Sequence, residues 1–347
     1  MSRRSQHRRE RITKRRLRDL SDPLQISDML FREKYRVNKD LFMYLLEELR
    51  VHITPSQRSD AVPFELKLLS SLSFLATGSY QRIVGNECDI SLSQSSVSRS
   101  HLTIVNALNA IMQKQIQFPC TEHQRNDVKV SFYRKFGVPG VIGCIDGTFV
   151  AIIRPKEHED AYFCRNGYHA INVAIICDCD LKIIGINAAF GGSAHDSDVW
   201  HKMFLSGYIQ RLYEQGETGW LLGDSGYPQR PWLMTPILHA EEGTPEAHYN
   251  DMHTRTRFTV ERCIALLKAR WRCLTHVHTL HYAPHVCAKI VNACAVLHNL
   301  CVAANIELQD HFVSLENNDD IVYHGVNSDD RGERAELVLQ LWQNRIE

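Results

Sequence analysis

The chain has 347 residues, of which 44% are hydrophobic and 23% charged, so it is long enough for about two folded domains and cannot be a single small module. Its 40 basic and 40 acidic residues cancel at pH 7, which excludes a uniformly basic or acidic protein. No uninterrupted apolar run reaches the ~18 residues of a membrane span, and the 11 scattered cysteines have no secretory leader before them, so we expect a soluble intracellular protein without a membrane partner.

The charges are concentrated at the two ends. Residues 1 to 18 hold nine Lys or Arg and only one acid, Glu10, whereas residues 307 to 330 hold seven acids and no Lys or Arg. We therefore predict a basic, disordered arm over 1–20 for nucleic-acid binding or nuclear import, and an acidic tail over 306–347 with a short terminal helix. The alternative is that both ends are only solvated, disordered segments.

Residues 21–130 show the spacing of helices. The stretch FREKYRVNKDLFMYLLEELRVHI is amphipathic, and three further helical stretches follow, the last beginning near Ser93. A short helix, a tight turn at CDIS and then a helix with Ser95, Ser96 and Arg99 in its first turns is the pattern of a helix-turn-helix DNA-binding region. The alternative is an ordinary helical bundle whose last helix has a Ser cap.

After residue 137 the pattern changes to short β-branched segments bounded by Gly, Asp or Pro. GVPGVIGCIDGTFVAIIRP, HAINVAIICDCD, LKIIGINAAFGG and GWLLGDSG read as strands, and SDVWHKMFLSGYIQRLYEQ between the last two reads as a crossover helix. Residues 239–257 are polar and read as a surface loop, and HVCAKIVNACAVLHNLCVAANI reads as a buried helix. This order predicts an α/β fold in which a mixed sheet is flanked by helices.

Three carboxylates lie in unusual settings. Asp146 interrupts the apolar run VIGCIDGTFVAII, Asp224 follows a strand in LLGDSGYP, and Glu261 opens the helical VERCIALLKARW. An ionised carboxylate buried among apolar side chains is costly without a cation. Hard oxygen donors suit Mg²⁺ or Mn²⁺, so these acids indicate a metal site for phosphoryl chemistry.

Basic residues follow Glu261 on the same predicted helix. Lys268 and Arg272 fall near the side of Glu261 by helical spacing, and cations beside a metal-binding acid suit a phosphate backbone. We predict both as DNA contacts. The alternative is that they form a solvated surface stripe.

Six motifs in order resemble the nuclease domain of the PIF/Harbinger DDE transposases and their domesticated nuclease relatives. They are GVIGCIDGTFVAI around Asp146, NGYHAINV at 166–173, GGSAHDSDVW at 191–200, LLGDSGYP around Asp224, RFTVERCIALLKARW around Glu261, and VLHNL at 296–300. FREKYRVNKDLFMYLL and GSYQRIVGNECDISLSQSSVSRS also resemble the family's helical region. The resemblance covers about residues 30 to 305.

This resemblance implies an RNase H-like catalytic core over 131–305 in which Asp146, Asp224 and Glu261 match the acidic triad. Two divalent ions, Mg²⁺ or Mn²⁺, would activate water, and then a DNA 3′-hydroxyl in strand transfer, for attack on a phosphodiester. The resemblance further implies DNA as substrate, a separate Myb/SANT-like partner protein, and a nuclear location beside a cytoplasmic one. A homo-oligomer is an open expectation.

The family's His-Asp-Ser motif matches His195 and Asp196, which we predict to support the acids from a second layer or to position the substrate. The alternative is that Asp196 only caps the following helix. The chain also departs from the family, which often has His where Phe149 stands and Arg-Lys-Gly where Arg165, Asn166 and Gly167 stand. The loss of a basic residue there would weaken contact with the substrate.

Two other functions compete with the nuclease. One is a catalytically silent DNA-binding or adaptor protein that keeps the fold to recruit partners, which the helix-turn-helix pattern and the charged ends favour. The weaker one is a metal phosphatase for small phosphorylated molecules. The silent protein would normally have lost acids of the triad, and none is lost here.

Overall fold

A computed structural model describes residues 3–20, 22–54, 61–308 and 332–345. The chain divides into two compact units. Unit 1 comprises Met1–Gln115, Leu267–Leu280 and Lys289–Phe312, and unit 2 comprises Ile116–Leu266, His281–Ala288 and Val313–Glu347. Most of the acidic tail predicted from the sequence lies outside the described residues.

In unit 1, the described residues up to Gln115 form helices and the loops between them. Its α-helices are α1 (Arg3–Leu20), α2 (Asp28–Tyr35), α3 (Lys39–Arg50), α4 (Phe64–Thr77), α5 (Gln81–Val84), α6 (Gln94–Ala110) and α7 (Met112–Gln115). Side chains cap the starts of several helices: Asn38 Oδ1 accepts a hydrogen bond from Leu41 N at 2.9 Å, which satisfies a free amide at the start of α3. The helix-turn-helix itself stays a prediction.

Helix α1 replaces the disordered arm that the sequence suggests for residues 1–20. Its sequence contains no Gly or Pro, and Arg, Lys, Leu and Glu are good helix formers. Residues 12–16 are all exposed, while Lys14 Nζ donates a hydrogen bond to Asn86 Oδ1 at 2.8 Å. The segment is therefore a basic helix, and Lys14, Arg15 and Arg16 lie on its surface.

Helix α12 (Pro284–Ala303) is the buried helix expected from its small and apolar residues. It is long and apolar enough to cross a membrane by length and composition, but 67% of its most apolar window is buried inside the folded chain. Burial of this kind is typical of a core helix.

Unit 2 contains a five-stranded mixed sheet. Its strands are β1 (Val141–Ala151), β2 (Ala170–Cys177), β3 (Ile183–Gly191), β4 (Trp220–Leu222) and β5 (Leu233–Met234), in the order β3-β2-β1-β4-β5. The pairs β1–β2 and β2–β3 are antiparallel, whereas β1–β4 and β4–β5 are parallel. The mixed α/β class is confirmed, and the arrangement is consistent with an RNase H-like core.

Helices flank this sheet and cover its apolar residues. They are α8 (Glu122–Phe136), α9 (Asp196–His201), α10 (Phe204–Glu214) and the long α11 (Pro245–Arg270), and α13 (Glu333–Gln343) follows the undescribed stretch. Beneath α9 and α10, side chains from β1, β2 and β4 pack into one cluster that includes Ile145, Ile176 and Trp200. Burial on this scale is the main stabilising term of the unit.

Two predicted boundaries differ from the structure. The crossover helix is broken into α9 and α10 around Met203. The predicted surface loop 239–257 instead contains the first half of α11, which begins at Pro245, directly after Thr244, whose hydroxyl accepts a hydrogen bond from Ala247 N at 3.3 Å. A capping hydroxyl followed by proline starts a helix efficiently, whatever the polarity of the residues beyond.

Candidate functional site

Asp146 lies on the central strand β1 and is only 3% exposed. The parallel partner β4 ends at Leu222, opposite Cys144, so β1 continues past its neighbour at this point. The Gly147 amide donates a hydrogen bond to Asp146 Oδ1 at 2.8 Å. Asp146 therefore lies on a part of β1 that is no longer paired with β4.

Asp224 follows the end of β4 by two residues. Its Oδ1 accepts a hydrogen bond from Gly226 N at 3.0 Å, which holds the carboxylate within a tight turn. Burial raises the pKa of Asp146 well above its usual range, and the nearby negative charge of Asp224 raises it further. The fold therefore brings together two acids that are 78 residues apart in sequence.

Glu261 comes from α11 and is held by an arginine that the sequence analysis missed. Arg257 Nη2 lies 2.6 Å from Glu261 Oε1, and Arg257 Nη1 lies 3.7 Å from Asp146 Oδ2. Arg257 precedes Glu261 by four residues, so the two lie on one face of the helix. This spacing is visible in RFTVE, but only the fold shows that the guanidinium also approaches Asp146.

Our expectation that Asp146, Asp224 and Glu261 together bind a cation stays a prediction. Within the described ranges, no group of three or more His, Cys, Asp or Glu side chains is placed to hold a metal ion. Asp146 and Asp224 are close to each other, whereas Glu261 is paired with Arg257. The Arg257 guanidinium thus places a positive charge beside the acids. The donors remain hard oxygens, so their chemistry fits Mg²⁺ or Mn²⁺.

Tyr227 places a buried hydroxyl beside these acids. The residue is 1% exposed, and its hydroxyl has no hydrogen-bond partner in the described part of the chain. Burial raises its pKa well above the usual range, and the charges of Asp196, Asp146 and Asp224 add to this effect. A buried hydroxyl without a partner is costly in a stable core and is common at functional sites.

Asn172 on β2 holds Asp196 beside β1. Asn172 Nδ2 donates to Asp196 Oδ1 at 2.7 Å and to Ala194 O at 2.9 Å. A side chain in place of Gly147 would clash with the Asp196 carboxylate, so the glycine permits this approach. The alternative role of a helix cap does not fit, because His195 is the cap residue of α9 and makes no side-chain capping bond.

A cavity of about 250 Å³ opens next to Asp196. Its lining consists of Phe149, Phe163, Arg165, Asn172, Gly192, Ser193, Ala194, His195, Asp196 and Gly226. The Arg165 guanidinium lies 5.6 Å from the centre of the Phe149 ring. Burial raises the pKa of Asp196, while the Asn172 hydrogen bond and the charges of Arg165 and His195 lower it. The cavity is thus partly aromatic, with acceptor groups inside and cationic groups among its walls.

The predicted DNA contacts on α6 differ in exposure. Ser95 and Arg99 are exposed, whereas Ser96 is half-buried. Ser93 caps the helix by accepting a hydrogen bond from Ser96 N at 3.2 Å, and the two hydroxyls lie 2.9 Å apart. The Ser95 hydroxyl lies 3.1 Å from the Ser93 hydroxyl, so both Ser95 and Ser96 are engaged at the start of the helix, and Arg99 presents an exposed side chain.

The two cations predicted beyond Glu261 belong to unit 1. Lys268 is only 6% exposed, and this burial removes it from the surface on which we predicted it. Arg272 is exposed, but α11 ends at Arg270 and a 3₁₀ turn over Arg272–Leu274 follows. The α-helical spacing that placed Lys268 and Arg272 on the side of Glu261 does not extend to Arg272.

Comparisons with known proteins identify the family of the chain. Residues 145–299 match the family described as DDE superfamily endonuclease, a range that contains Asp146, Asp224 and Glu261. The protein "Putative nuclease HARBI1" of Xenopus laevis is 33% identical over 302 residues, which cover 85% of each chain. The human protein of the same name is 33% identical over 285 residues, covering 82% of this chain and 80% of its own.

A more distant relative comes from a plant. "Protein ALP1-like" of Arabidopsis thaliana is 23% identical over 291 residues, covering 78% of this chain and 70% of its own. No solved structure matches the chain.

Proposed function

Since the chain belongs to the family of the DDE superfamily endonucleases and the HARBI1 nucleases, we propose that it is a divalent-metal-dependent DNA endonuclease of transposase descent. One observation carries the proposal. Asp146 and Asp224, from adjoining parallel strands, are close enough for the charge of one to raise the pKa of the other, although Asp146 is buried. A fold that only needed stability would avoid this pair.

Mg²⁺ or Mn²⁺ bound at this pair would supply an activated water and charge stabilisation for the leaving oxygen of a phosphodiester. Asp146 and Asp224 are the donors that we assign first, and Glu261 is the third. Arg257 holds Glu261 Oε1 at 2.6 Å, so a metal bound through that oxygen would displace the arginine from it. Arg257 then keeps a positive charge beside the acids, where it can bind a phosphate oxygen of the DNA backbone.

We assign DNA contact outside this site to the exposed residues Ser95, Arg99 and Arg272 and to the basic helix α1. Their long side chains and hydroxyls suit phosphate binding, which is independent of sequence. A Myb/SANT-like partner, nuclear entry, self-association and strand transfer complete the proposal. The partner protein and strand transfer rest on the family resemblance, nuclear entry rests also on the basic N-terminal segment, and self-association is an open expectation.

A second candidate is the silent adaptor, which the Arg257–Glu261 ion pair favours. An acid that is already neutralised by an internal cation resembles a structural ion pair. DNA binding in EDTA and cleavage in Mg²⁺ separate the two candidates. The adaptor binds DNA in both buffers and cuts in neither, whereas the nuclease binds in both and cuts only with the metal.

The direct test is nicking of supercoiled plasmid DNA in Mg²⁺ or Mn²⁺. Wild type should convert the plasmid to its open circle, and Asp224→Asn should not, because it lacks one metal donor. Asp198→Asn is the matched control, since Asp198 is exposed and lies in the first turn of α9. Equal nicking by wild type and Asp224→Asn refutes the assignment.

A further inference from the structure

We infer that the cavity beside Asp196 receives a single unstacked nucleobase of the DNA substrate, one that carries an exocyclic amino group. The inference rests on the proposed function and adds to it the part of the substrate that is read next to the cutting site. The cavity volume of about 250 Å³ falls below the ~300–1,000 Å³ of sites for drug-sized ligands. This volume favours one flat ring over a larger ligand.

The walls of the cavity provide stacking surfaces. Phe149 and Phe163 both line it, and Phe163 is 51% exposed although its ring is apolar. Arg165 covers the Phe149 ring at 5.6 Å and is itself exposed, so it can move aside or stack in turn. Nucleobases stack on aromatic rings and on guanidinium planes, which makes these three side chains a suitable receptor for a base.

The polar groups on the Asn172 side of the cavity accept hydrogen bonds, whereas the donors among its lining residues belong to Arg165 and His195. Both amino hydrogens of Asn172 are used, one by Ala194 O and one by Asp196 Oδ1. Its Oδ1 is buried and has no partner among the described residues. With the Asp196 carboxyl group it forms a pair of acceptors, and the amino group of cytosine or adenine is the donor that a base can offer to them. Thymine lacks such a group.

The position of the cavity links it to the cutting site. Gly226, which lines the cavity, also holds the Asp224 carboxylate through its amide at 3.0 Å. Asp196 approaches β1 at Gly147, next to Asp146. A base held in the cavity would therefore belong to a nucleotide beside the phosphodiester that the acids attack. Extruding that base would fix the strand against the carboxylates.

The test is binding of single-stranded oligodeoxycytidine and oligothymidine of equal length to the full chain, by fluorescence anisotropy in EDTA at neutral pH. Wild type should bind the cytidine strand about tenfold more tightly, the usual effect of one good base contact. Asp196→Asn should reduce this ratio towards one, because its amide can also donate to thymine. A strand of abasic sites should bind more weakly than either.

Phe149→Leu provides a second variant that keeps the position apolar. It should weaken binding of the cytidine strand about fivefold or more through loss of stacking, without changing the affinity for the abasic strand. Phe204→Leu is the matched control, because Phe204 is 77% exposed and does not line the cavity. Circular dichroism and melting confirm that each variant is folded.

Three results would overturn the inference. They are equal affinity for cytidine and thymidine strands, an abasic strand that binds as well as the cytidine strand, or a Phe149→Leu effect no larger than that of Phe204→Leu. The nuclease proposal fails separately. A wild-type protein with the expected base preference and no nicking in Mg²⁺ refutes only the nuclease, and one that nicks DNA without the preference refutes only the cavity.

Discussion

Replacing Asp146 by Asn should stabilise the protein in EDTA while removing its response to Mg²⁺. The amide side chain keeps the Oδ1 that accepts from Gly147 N at 2.8 Å, and it carries no charge into the buried site beside Asp224. A polar group that is buried without full hydrogen-bond compensation costs about 1–3 kcal/mol in protein mutational data, and the substitution removes this cost for the Asp146 carboxylate. Loss of the 3.7 Å contact with Arg257 offsets part of this gain, while Arg257 keeps its 2.6 Å ion pair with Glu261.

The net expectation is a rise of about 1–2 kcal/mol in the free energy of unfolding, or on the order of 2–6 °C in Tm. The gain depends on pH in a definite direction. The folded pKa of Asp146 is raised, so the wild-type carboxyl favours folding below the unfolded pKa of ~3.9, and this contribution is lost as pH rises through the folded value. The difference between Asp146→Asn and wild type should therefore vanish near pH 4 and be largest at high pH.

Urea unfolding in EDTA across this pH range measures the effect, with and without added Mg²⁺. Mg²⁺ at about 100 times its Kd should stabilise wild type by ~2.7 kcal/mol and the variant by much less. Asp198→Asn, an exposed acid on α9, should resemble wild type in both buffers. An Asp146→Asn protein that is less stable in EDTA and still responds fully to Mg²⁺ would refute the reasoning.

Three other substitutions follow from the same contacts. Arg257→Met leaves Asp146 and Glu261 without their shared cation, so the free energy of unfolding in EDTA should fall by about 3–5 kcal/mol. Mg²⁺ should then restore more stability than it adds to wild type. Urea midpoints equal to those of wild type would contradict this. Gly147→Ala adds a methyl group against a carboxylate and should lower the Tm by the equivalent of about 1–3 kcal/mol, whereas Gly207→Ala meets only a flexible side chain end and should not. Arg125→Met removes two hydrogen bonds of 2.6 Å to Glu217, whose pKa this arginine lowers. The loss of stability caused by Arg125→Met should therefore be complete above pH ~4.3 and should fade as pH falls through the lowered folded pKa of Glu217. Melting curves of both proteins across this pH range measure the effect.

The sequence alone indicated most of the sheet because its strands are buried and rich in β-branched residues. The first four predicted strands correspond to β1, β2, β3 and β4. The strand β5 was missed since it has only two residues, Leu233 and Met234, which is too short to show an alternating or apolar pattern. The start of α11 was missed because residues 239–257 are polar, and polarity alone does not distinguish an exposed helix from a loop.

The candidate site was predictable in its residues but not in its charge balance. Asp146 and Asp224 could be named because each interrupts or follows an apolar segment, and Asp196 because it matches the family's His-Asp-Ser motif. The fold places the three side chains close to one another. The pairing of Arg257 with Asp146 is a tertiary contact between a helix and a strand that are over a hundred residues apart. No local pattern reports such a contact, and the same holds for Asn172 with Asp196.

The central claim is that Asp146 and Asp224 are held together to bind a divalent cation. Titration of Mn²⁺ into the full chain, followed by the loss of the free-ion signal in electron paramagnetic resonance, tests it without requiring cleavage. The account predicts saturable binding by wild type that is lost or weakened at least tenfold in Asp146→Asn. Mn²⁺ binding of equal affinity and stoichiometry in both proteins, or no binding by wild type, would contradict it.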